Sequence, residues 1–144
     1  MTSPAVATAL VAAIVALAAC ASWQTEACAA FRTLNEDIQL EDPEDAATAN
    51  VAIAERIAAR LSGARWPGGE TAQDALRDAA SAAATGARAY LRGDFERWTD
   101  DTGTHLIELD KADRALKGLG VDCGTPLRYP VPTSVGAALG APGP

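Results

Sequence analysis

The chain has 144 residues, enough for one domain. Its net charge of −7 lies entirely beyond residue 22, and a domain this acidic repels phosphates, which argues against a nucleic-acid partner. Nearly half the residues are apolar, but many of these are alanine and only 5% of the chain is aromatic, which favours helix over strand.

From Ala5 to Ala21 every residue is apolar or small, with Thr8 the only hydroxyl. A run of about 17 residues sits at the short edge of a membrane span. It resembles a secretory signal, although no Lys or Arg precedes it and only the α-amino group supplies positive charge. Its end, Leu17-Ala18-Ala19-Cys20, resembles the lipobox of bacterial lipoproteins. The resemblance implies that residues 1–19 are a signal peptide removed before Cys20. It also implies a lipidated Cys20, a short tether over residues 20–22, and an extracytoplasmic chain anchored to the bacterial cell membrane. Each buried CH₂ of an acyl chain contributes about 0.8 kcal/mol, and two chains hold where one does not. Three other readings of the run stay open: cleavage after Ala21, which follows an A-x-A pattern, an uncleaved anchor, or a buried core helix.

Cys20, Cys28 and Cys123 are the only cysteines. Cleavage after Ala21 and lipidation of Cys20 both leave Cys28 and Cys123 to pair in an oxidising compartment. A zinc site is a poor use of two distant cysteines, one histidine and no C-x-x-C.

The apolar period is helical from Trp23 onward. A first helix is expected from about Trp23 to Leu40, with Ala27, Phe31, Leu34 and Ile38 on one face. A second starts at Pro43 with Asp42 as N-cap and Asp45 at the third position, and stops at Gly63. Asn50 falls within its apolar face, where a hydrogen-bonded core Asn would fix register and a ligand contact is the alternative. Thr71 is the expected cap of a third helix, whose seam Ala72, Leu76, Ala79, Ala83, Gly86 and Tyr90 should let a neighbour approach closely. Asp94 caps a fourth, with the seam Phe95, Trp98, Thr102, His105, Leu109, Ala112, Leu116 and Leu119, so one helix should run through Gly103.

Short links between such helices imply an all-α, antiparallel up-down-up-down four-helix bundle over residues 23–123. That topology brings Cys28 and Cys123 to the same end, where they could meet. Closing that loop would stabilise by up to about 4.7 kcal/mol in the chain-entropy model. Residues 124–144, rich in Pro and Gly and almost uncharged, read as a disordered tail.

The inventory for catalysis is thin, and the chain reads as a non-enzyme with no cofactor. His105 is the only histidine; Asp101 at i−4 and Glu108 at i+3 share its side of the helix. The two readings of it are a hydrogen-bonded structural histidine and a metal or small-ligand site with those carboxylates. No Glu-x-x-His pair, C-x-x-C-H, phosphate loop or G-x-S-x-G is present. Glu36, Asp37, Glu41, Asp42, Glu44 and Asp45 crowd the first turn, and Asp94 and Glu96 fall at the same end. They are either a solvated, helix-starting face or an acidic face for a basic partner. Trp66 belongs to the opposite end, with Trp23, and either meets the membrane interface or covers the bundle end.

With its lipobox, helical bundle, Cys28 early in the first helix and Cys123-Gly124 after the last, the chain resembles a broad group of small bacterial lipoproteins. The group implies location and fold rather than a mechanism. A lipid-anchored binding module of the cell envelope is the leading expectation. The His105 ligand site and an envelope-protective or immunity lipoprotein, phage-borne or not, are the alternatives.

Overall fold

A computed structural model describes residues 23–36 and 40–128, all of them helix or connecting loop. The fold is the expected antiparallel four-helix bundle: α1 over residues 23–35, α2 Pro43–Gly63, α3 Glu70–Leu91 and α4 Phe95–Gly118. No described helix is long and apolar enough to cross a membrane. The signal run, Cys20, Asp37 and Ile38 lie outside the described residues.

α1 is shorter than its apolar period suggests. Ala27, Phe31 and Leu34 are buried as expected, but the helix stops at Asn35. Two partners hold this end. The Leu34 carbonyl, which a longer helix would use for its own ladder, faces His105 Nε2 at 3.0 Å. Asn35 donates from Nδ2 to the Pro126 carbonyl and accepts from the Arg128 amide at Oδ1.

α2 begins as its sequence dictates. Asp42 accepts from the Glu44 amide at 2.8 Å, Pro43 opens the helix, and Glu44 and Asp45 sit at its positive end. At its other end Gln73 Nε2 donates to the carbonyls of Leu61 and Ala64, covering groups that a helix terminus leaves unpaired.

α3 starts two residues before the expected position, so Thr71 lies inside it and Gly69 is the cap, without a side-chain bond. The Trp23 ring explains the glycine: a Cβ at residue 69 would lie 2.7 Å from it. Gly68 supplies the turn at φ +80°, and Glu70 accepts from its amide. α3 packs against both α2 and α4 and buries small residues on several sides, among them Ala72, Ala75, Ala79, Ala80, Ala84 and Ala89. Gly86 serves the close approach that its place on the seam implies, since a Cβ there would stand 3.1 Å from Asp101 Cβ.

Asp94 is shared by two helices. Its amide bonds to the Ala89 carbonyl while the Gly93 amide bonds to Tyr90, closing α3 in a Schellman motif. Its side chain then accepts from the Arg97 amide and caps α4. α4 runs unbroken through Gly103 and closes the same way, with Val121 bonded to Leu116 and Gly120 to Lys117.

Past α4 the chain turns at Asp122, whose carboxylate accepts from the Gly124 amide. The Cys28–Cys123 disulfide forms, with Cα atoms 5.1 Å apart. Arg32 donates twice to the Cys123 carbonyl, and Leu127 packs on the core. The first residues of the expected tail, up to Arg128, therefore lie along α1; residues 129–144 fall outside the described residues. Trp66, Phe31, Leu61, Leu76, Leu109 and Leu116 are the largest fully buried side chains.

Candidate functional site

The helix directions put the α1–α2 connection, the start of α2, the end of α3 and the start of α4 at one end of the bundle. A cleft of about 520 Å³ opens there. Leu34, Glu36 and Leu40 form one side, and Pro43, Ala46, Ala47 and Asn50 of α2 form the second. Ala82, Ala83, Ala87 and Tyr90 of α3 and Trp98, Thr102 and His105 of α4 complete it. The floor is apolar because both crossing helices present alanines there.

Tyr90 packs edge-to-face with Phe95 and Trp98 at centroid distances of 5.7 and 5.3 Å. Phe95 heads the α4 seam but is 56% exposed, and Leu40 is 52% exposed. Phe95 is not in the core because it is the first residue of α4, beyond the last turn of α3. Its burial was expected from period alone, and period does not register where the neighbouring helix ends.

Glu36, Glu41, Asp42, Glu44, Asp45, Asp94 and Glu96 are all exposed. Glu36 lines the cleft; Asp42 and Asp94 serve as caps. The basic side chains closest to them in sequence are Arg92 and Arg97, and Arg97 is taken up by Asp101 at 3.1 Å.

His105 sits between two backbone carbonyls. Nδ1 faces the Ala79 carbonyl at 2.9 Å and Nε2 the Leu34 carbonyl at 3.0 Å, so one ring joins α4 to α3 and α1. A neutral imidazole donates one proton and an imidazolium two, and two carbonyls can only accept. The expected carboxylate partners are committed elsewhere, Asp101 to Arg97 and Glu108 to Lys111 at 2.7 Å. Among the described residues no group of three or more His, Cys, Asp or Glu could hold a metal ion.

Asn50 corrects another expectation. It is half-buried, lines the cleft and makes no hydrogen bond to a described residue, so it does not lock register. Asn35 is the buried asparagine with both ends of its amide bonded. Sequence reading missed it because its partners come from a segment with no periodic pattern, residues 126–128.

The opposite end is closed by tryptophan. Trp66 is 2% exposed and stacks on Trp23 at 5.8 Å, so it covers the bundle end. Glu26 accepts from Trp66 Nε1 at 3.3 Å and from Arg60 at 2.5 Å. Compared with known protein families, curated proteins and solved structures, the chain finds a match in none of the three.

Proposed function

We propose that this chain is a non-enzymatic interaction module of the bacterial cell envelope, held to the membrane by lipid on Cys20. In this reading its working end is the one away from the anchor, and its partner presents a basic surface. One observation supports it most: the cleft, the exposed Leu40 and Phe95 and the exposed carboxylates collect at the end opposite the start of α1. The chain enters at the other end, where Trp23 and Trp66 close the core. An anchor before residue 23 leaves the open end facing outward. A surface of exposed apolar residues among like charges suits steered association with a cationic partner.

Intact mass of the membrane-extracted protein tests the anchor. Residues 1–19 should be missing and acyl mass present on Cys20; an unmodified Cys20 ends this reading. Photo-crosslinking in intact cells tests the face. A probe at residue 95 should give a discrete adduct, and one at residue 65 should not.

A further inference from the structure

We propose that the cleft binds an apolar cation: an ammonium or guanidinium group carried on a hydrocarbon or aryl body. This names the chemistry that the working end recognises, and so rests on the interaction reading above. The opening is the size of a single small-ligand site. Its floor is alanine and its flank aromatic, which suits a hydrocarbon or aryl body. Thr102 and His105 are already bonded to backbone carbonyls, but three other polar groups are available. Asn50, the Tyr90 hydroxyl and Trp98 Nε1 make no hydrogen bond to a described residue, although all three residues line the opening.

The charge around the opening decides the sign. Glu36 is on the wall, and among the described residues no Lys or Arg lines it. A carboxylate or phosphate ligand would enter against this field. A second copy of the chain would bring the same surplus of carboxylates and be repelled. A metal ion would find no ligand cluster among the described residues. A cation on an apolar body gains twice, from the aromatic flank and from the carboxylate beside it.

The test is titration of the full chain followed by the three indole N–H signals of Trp23, Trp66 and Trp98. The probes are phenylbutylammonium, phenylbutanol and phenylbutanoate, which share a body and differ in charge. The ammonium should shift the Trp98 signal and leave Trp23 and Trp66 in place. The alcohol should bind about tenfold or more weaker, and the carboxylate should not bind. Asn50→Arg, which puts a fixed cation into the opening at a half-exposed helical position, should abolish the shift without loss of helix signal. Glu36→Gln should weaken binding several-fold. A short peptide with one lysine between two leucines separates the sources of the cation. Tighter binding by the peptide points to a protein segment, and tighter binding by phenylbutylammonium to a free amine. No movement of Trp98 with any cationic probe, or equal binding of ammonium and alcohol, overturns the proposal. The membrane reading is judged separately by the mass of Cys20, so either idea can fail alone.

Discussion

The two ends of the bundle use the same kinds of residue to opposite effect. Where the chain enters, a buried tryptophan is covered and cross-tied: the half-buried Trp23 lies on Trp66, Trp66 donates to Glu26, and Glu26 also holds Arg60. A disulfide and the Arg32 bonds to Cys123 fasten the last segment to α1 there. At the far end an aromatic trio packs edge-to-face beside an open cleft, with Phe95 largely in water. Carboxylates there cap helices or point outward. The difference teaches which end holds the fold together and which end leaves apolar surface in water.

The largest expected effects belong to the closed end. Reducing Cys28–Cys123, or replacing both by serine, frees a loop of 95 residues and should cost up to about 4.7 kcal/mol in the chain-entropy model. Trp66→Ala should cost about 3–5 kcal/mol, as expected for a fully buried indole. Guanidinium denaturation with and without reductant measures both. If either change costs less than about 1 kcal/mol, the closed end is not what holds the bundle together.

Next comes His105, which lies between the two ends. His105→Ala removes the ring from between the Leu34 and Ala79 carbonyls, and the one that accepts its N–H loses that donor. A loss of about 2 kcal/mol is expected, since a buried acceptor left unpaired costs about 1–3 kcal/mol. Hydrogen exchange should show the last turn of α1 opening first. Unchanged protection there would remove the three-helix role.

How legible each end was in the sequence follows from the same physics. Helix periods, the Asp42 and Asp94 caps and the meeting of the two cysteines are local or topological, and one sequence carries them. The early stop of α1, the glycine cap at residue 69 and the bonds of Asn35 each depend on a residue far along the chain: His105, Trp23 and Pro126 with Arg128. No window along the sequence contains those pairs. The cleft was half visible. Its acidic side was read from the charge pattern, but its lining includes Asn50, which falls outside the packed seam.

A smaller effect concerns the outer face of α4. Glu108 raises the pKa of Lys111 from its ordinary 10.5, and Asp113 does the same for Lys117, in each case through a hydrogen bond first and charge second. A raised folded value means that the stabilisation is present below 10.5 and lost as pH rises through the raised value. Both lysines are exposed, so the loss of these pairs should show only as a slight fall in melting temperature above pH 10.5. The double variant Lys111→Met, Lys117→Met should flatten that fall.

The smallest expected stability effect tests the comparison most directly. Phe95 and Trp66 are both large aromatics in aromatic contact, but Phe95 is 56% exposed and Trp66 2%. Phe95→Ala gives up little burial and one edge-to-face contact with each of two rings, so it should cost less than about 1 kcal/mol. In the proposed reading, a side chain that does so little for the fold serves a partner instead. If Phe95→Ala destabilised the protein as much as Trp66→Ala, the far end would be a second closed cap. The exposed aromatic would then say nothing about a partner. If it leaves the denaturation midpoint in place and removes the crosslink from a neighbouring probe at residue 96, the two ends have divided fold and recognition between them.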